Sequence, residues 1–95
     1  MTTHEEREGF YIVRAILRPV VDVERVAMRD TKSYCGILLD DNNRKPICRL
    51  HFNSQQKYIG VFNDQKNETR IPIANLNEIY NHTEQIRGTV GLYEG

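Results

Sequence analysis

Cys48-Arg49-Leu50-His51 sets a thiol and an imidazole at a gap that zinc sites use. The run around them, PICRLHF, alternates apolar and polar residues and reads as a strand, where side chains three apart point to opposite faces. Cys48 is then expected in the core and His51 outside it, and Cys35 alone does not complete a ligand set. Asp40-Asp41 is the other cluster with chemical reach. A magnesium-dependent nuclease needs carboxylates converging with a lysine, typically an acid followed two positions later by Lys on one strand. Glu24, Glu68 and Glu78 are each followed at that spacing by another residue type, which leaves Asp40 and Asp41 as solvated turn residues. No Gly-x-Ser-x-Gly elbow occurs, and the six glycines never cluster into a phosphate-binding loop. His4 and His82 fall on expected helix surfaces. The expectation is therefore no catalytic residue, no metal and no cofactor.

The elements that position these residues start with a hairpin. TKSYCGILLD and KPICRLHF are two alternating runs joined by Asp41-Asn42-Asn43-Arg44, and Asn tolerates the positive φ of tight turns. A turn centred on Asn42-Asn43 pairs Ile37 with Cys48 and Cys35 with Leu50. Cys35, Ile37, Leu39, Cys48, Leu50 and Phe52 then share the core face. Tyr34, Leu38, Ile47, Arg49 and His51 project to the other face, where Tyr58, Phe62 and Arg70 join them. Aromatic rings interleaved with Arg and His on a bare sheet can stack bases and hold phosphates. The same mixture suits a protein interface, where Tyr and Arg are enriched. Tyr34, Arg49, His51, Tyr58 and Arg70 are the candidate interaction surface.

Upstream, Thr3-His4-Glu5-Glu6 fits a capping box, and Phe10, Val13, Leu17 and Val20 follow at helical spacing, with Ile16 beside them. A helix over 5–18, ended by Pro19, is expected, with Asp22 capping a short turn through Glu24 and Arg25. The first strand spans 26–40, its early part polar enough to be irregular or bulged. Strands over 46–52, 57–62 and 69–73 follow, and Pro72 places the last at a sheet edge. Asn75 opens a second helix whose inward stripe is Leu76, Ile79, Tyr80, Thr83 and Ile86, limited by Gly88 and Gly91. Short connections favour neighbouring antiparallel strands. The fold class is α+β: a four-stranded antiparallel meander with both helices on one sheet face, in the order α-β-β-β-β-α.

Ninety-five residues suffice for one domain, here 1–95, and 39% hydrophobic with 27% charged residues is ordinary for a globular chain. Thirteen Lys/Arg balance thirteen Asp/Glu, with basic residues in excess over 26–73 and acidic ones over 74–95. No apolar run approaches the ~20 residues of a membrane span. Two cysteines make a poor disulfide framework, so both are expected as reduced core residues of a cytoplasmic protein.

RDTKSYCGILLDDNNRKPICRLHFNSQQKYIGVF (29–62), flanked by EGFYIVRAILRPVVD and IPIANLNEIY, resembles the C-terminal portion of bacterial and prophage restriction endonuclease-like proteins. These carry a type I restriction enzyme R protein N-terminal domain. The resemblance spans nearly the whole chain and implies a C-terminal accessory domain following an upstream nuclease-like domain and a helical middle. The catalytic acids and lysine of that nuclease domain match no position here. A non-catalytic role follows as the expectation. Protein–protein contact or self-association, through the open face or an edge strand, comes first, including contact with other domains of the parent. Contact with duplex DNA, assisting the upstream nuclease, is the alternative.

Overall fold

A computed structural model describes residues 4–53 and 55–94. Helix α1 (His4–Leu17) leads through a 3₁₀ turn (Val23–Arg25) into five strands. These are β1 (Val26–Asp30), β2 (Cys35–Leu39), β3 (Pro46–His51), β4 (Lys57–Phe62) and β5 (Glu68–Ile73). A second 3₁₀ turn (Leu76–His82) runs into helix α2 (Thr83–Glu94). The sheet is an antiparallel meander in the order β1-β2-β3-β4-β5, with the N- and C-terminal helices against it.

The sheet has five strands, not the expected four, because the segment 26–40 folds back on itself. Thr31 makes the turn. Its hydroxyl accepts from the backbone N–H groups of Ser33 and Tyr34, and its own N–H donates to Tyr34 O at 2.9 Å. A Ser/Thr turn of this kind needs no glycine, so it leaves little trace in sequence. The β2–β3 register is the expected one over its inner half, with Cys35 opposite Leu50 and Ile37 opposite Cys48. Nearer the turn it shifts by one residue. Leu38 lies opposite Pro46, and the extra residue, Ile47, forms a bulge that turns its side chain inward, fully buried. Positive φ falls on Asp40 and Asp41 rather than on Asn42-Asn43.

The inner face carries the core: Val26, Cys35, Ile37, Leu39, Cys48, Leu50, Ile59, Val61 and Ile73 pack with Ile47 beneath the helices. From α1 come Val13, Ile16 and Leu17, while Val20, past the helix end, is exposed. Gly9 lets α1 approach closely, since a Cβ there would meet Leu50 Cδ1 at 2.8 Å. The expected N-cap at Thr3 lies outside the described residues. Asp22 caps the first 3₁₀ turn as expected, accepting from Glu24 N at 3.0 Å.

Helix α2 supplies Ile86 and Val90 and continues through Gly88 and Gly91, which lie on its exposed side and do not end it. Tyr80 is exposed rather than inward, because the 3₁₀ turn before α2 rotates it off the stripe. Thr89 Oγ1 and Gln85 Nε2 both donate to Phe62 O, and Tyr93 OH donates to Pro46 O at 2.8 Å. At the far end, Arg25 grips Asp40 through two hydrogen bonds of 2.7 and 2.8 Å and also binds Glu94. That clasp holds both carboxyls below their ordinary range and ties the end of α2 to the β2–β3 turn.

Candidate binding face

The helices cover one side of the sheet, and the outer side carries the residues of interest. One row crosses all five strands: Arg29 lies beside Gly36, Gly36 beside Arg49, Arg49 beside Gly60, and Gly60 beside Arg70. Arginines alternate with glycines. A neighbouring row holds His51, Tyr58 and Pro72. Tyr34, just ahead of β2, adds its ring 5.6 Å from that of His51.

Arg49 is the hub. Its guanidinium carbon sits 4.6 Å from the Tyr34 ring centroid and 5.2 Å from that of Phe62, within cation–π range of both. Its Nη1 donates to Glu68 Oε1 at 3.2 Å, and His51 Nε2 lies 2.6 Å from Glu68 Oε2. A carboxylate only accepts, so that imidazole nitrogen carries the proton. His51 is buried although it faces away from the helices, with 8% of its surface exposed. One carboxylate thus holds two side chains of β3 from β5, across the whole width of β4.

Glycine makes that crossing open. Glu68 lies over Gly60, and a Cβ at position 60 would fall on its carboxylate. Glycine in a strand interior often marks such a close approach. Gly36 plays the matching part on the other side, where the Tyr34 ring edge lies 3.3 Å from the position a Cβ would take. Between β1 and the Tyr34 ring this leaves a cavity of about 300 Å³, lined by Arg29, Thr31, Tyr34, Gly36, Leu38 and Asn43. Arg29 reaches along its rim to Asn43 Oδ1 at 3.1 Å and Asp41 Oδ1 at 2.9 Å.

Of the sequence-expected surface, Tyr34, Arg49 and His51 converge on one cluster. Tyr58 and Arg70 share the face without joining it; Arg70 is exposed and takes no hydrogen bond or ion pair among the described residues. Leu38 and Phe62 also face this side, both nearly buried, whereas Ile47 does not. Sequence reasoning passed over Arg29, Gly36, Gly60 and Glu68. The mid-strand glycines were the available signal; Glu68 stood at the end of a polar run and read as loop.

The other reactive residues stand elsewhere. Cys48 lies in the core and His51 outside it, so the two cannot share an ion. Both thiols are free and fully buried. Burial, reinforced by the charges of Glu6 and Asp30, pushes Cys35 up to about 12, and burial raises Cys48 as well, so neither is a nucleophile at neutral pH. Asp40 and Asp41 are ion-paired to Arg25 and Arg29 on separate sides rather than merely solvated. Among the described residues no three His, Cys, Asp or Glu side chains are gathered as a metal site. Comparison of the chain with protein-family models, with curated proteins and with solved structures finds no match.

Proposed function

We propose that this is a non-catalytic binding domain whose outer sheet face docks a slender anionic strand, most plainly single-stranded nucleic acid. The observation that carries the reading is the Arg29–Gly36–Arg49–Gly60–Arg70 row, three cations against two carboxylates, Glu68 beside Arg49 and Asp41 of the β2–β3 turn beside Arg29. The chain is neutral as a whole, but this face is not. Aromatic rings beside the row supply what bases stack on, and the arginines what phosphates bind.

Dimensions choose among partners. Four inter-strand gaps and five to six residues per strand make a face of about 19 by 17 Å, or roughly 320 Å². A stable protein interface takes about 800 Å² of accessible surface per partner, so self-association would draw on side-chain relief and neighbouring surface beyond this flat outline. A sheet about 19 Å wide also exceeds a major groove of about 12 Å, which favours a single strand over a duplex. Contact with a neighbouring protein domain is the second reading. The Tyr34–Arg49–Phe62 stack favours it, since Tyr and Arg anchors dominate protein hot spots. In the restriction-protein setting that the sequence resembles, either role makes the domain an accessory to a nuclease placed elsewhere.

Fluorescence anisotropy with labelled single-stranded oligonucleotides at stepped salt tests the proposal. Three phosphate contacts predict a log–log salt slope of about −2. Arg70→Ala, which breaks no internal contact, should make it shallower by about one third. Failure to bind any single strand at low salt would sink the nucleic-acid reading. Binding to a partner protein with little salt dependence would favour the second.

A further inference from the structure

We infer that the cavity beside Gly36 is a base-binding subsite: it takes one unpaired base of the bound strand flat against Tyr34, with the adjoining phosphate on Arg29. The inference rests on the single-strand reading above and adds where on the face a base, rather than the backbone, is held. The cavity, at about 300 Å³, stands at the small end of ligand sites, enough for one planar ring system and too small for a dinucleotide cofactor. Gly36 lines it, and the missing side chain lets the Tyr34 ring edge settle close to the strand beside the space. Leu38 gives it an apolar wall.

The two ends of the cavity differ in chemistry, which sets how a nucleotide would lie. Arg49 lies against the Tyr34 ring but does not line the cavity, so the ring is clamped from the β3 side while it lines the space on the β1 side. A side chain already clamped loses little freedom when a base packs on it. At the rim, Arg29 is about half exposed and held by Asp41, itself largely exposed. Exposed pairs of that kind are loose, and a phosphate can take the guanidinium in a bidentate grip. Asn43 accepts from Arg29 through Oδ1 and leaves Nδ2 without a partner among the described residues, a donor free to meet an acceptor on the base edge. Cation and amide thus stand together at the rim, to meet the phosphate and the base edge, while the base packs on the ring.

The test compares a short labelled oligothymidylate with an abasic strand of equal length, on wild type and on Gly36→Val. Val fits the strand, and its Cβ, 3.3 Å from Tyr34 Cε2 and 3.6 Å from Arg29 O, crowds the cavity and pushes on the ring a base would use. Wild type should bind the base-bearing strand about tenfold more tightly than the abasic one, the value of one stacked base. Gly36→Val should erase that preference while leaving abasic binding intact. Tyr34→Leu, outside the strands, should do the same, and it serves as the variant if Gly36→Val does not fold. Equal binding of both strands by wild type overturns the base subsite but leaves the phosphate-binding face standing. Binding of neither strand removes the face and the subsite together. A variant that weakens both strands equally also overturns the subsite.

Discussion

The two faces of the sheet come from the same five strands, yet they hold together by different physics. The inner face is apolar and lies under helices, with Cys35, Ile37, Leu39, Cys48, Leu50 and Ile59 fully buried. Its stability is a matter of area and fit, and about 1.5–3 kcal/mol attends each large side chain removed from water. The outer face owes its order to a few directed contacts: one carboxylate holding His51 and Arg49, two rings flanking that arginine, and two glycines that leave room. Alternation along a strand sorts the two sets of residues. It does not explain what holds the outer set in place. That comes from cross-strand neighbours, chiefly Glu68 over Gly60.

If the contrast is right, inner changes should cost stability and spare binding. Leu50→Ala, beneath Gly9 of α1, should lower unfolding free energy by about 3 kcal/mol in urea titrations, with ligand affinity of the folded protein unchanged. A loss under about 1 kcal/mol would mean the inner face is loosely packed. Next in size is a pH effect confined to the inner face. The Cys35 thiol titrates near 12 when folded, against an ordinary 9.0. Because the folded value is the higher one, its contribution is whole below pH 9 and fades as pH rises toward 12. At about pH 10.5 the loss should be about 2 kcal/mol, and Cys35→Ala with Cys48→Ala should flatten that part of the alkaline decline in urea midpoints.

The outer face is probed at its crossing point. Gly60→Val should displace the Glu68 carboxylate, leave His51 and Arg49 without it, and cost about 1 kcal/mol in urea titrations. In a Glu68→Ala background, where nothing reaches over position 60, the same change should cost much less, so a double-mutant cycle reads the coupling directly. Additive costs would show that Glu68 does not organise this face. The smallest effects belong to neither face. Gly88→Ala and Gly91→Ala, with open space where each Cβ would go, should each stabilise the protein by about 0.5 kcal/mol.

Much of the inner face was legible because one residue pattern, read twice, gave one register. The pairings of Cys35 with Leu50 and Ile37 with Cys48 need only alternation and a turn of about the right length. The outer face was legible as a membership list, and even there Ile47 went astray, since a bulge is a property of two strands together. The first hairpin hid because Thr31 turns the chain with its own hydroxyl, so no glycine or Asn-Gly pair announced it. Gly88 and Gly91 read as helix stops by propensity, but the burial of Ile86, Thr89 and Val90 outweighs that cost. Glu68 was the hardest to see. Its role exists only once β3, β4 and β5 lie side by side.

The strand order has a kinetic consequence. Every ladder joins chain neighbours, so each hairpin can close over a short loop without waiting for a distant segment. The two helices differ: Arg87 reaches Ile16 O across 71 residues of sequence, a closure that costs more chain entropy than any of the hairpins. Stopped-flow refolding should therefore show the strands acquiring their ultraviolet signal before the seam between the terminal helices excludes water.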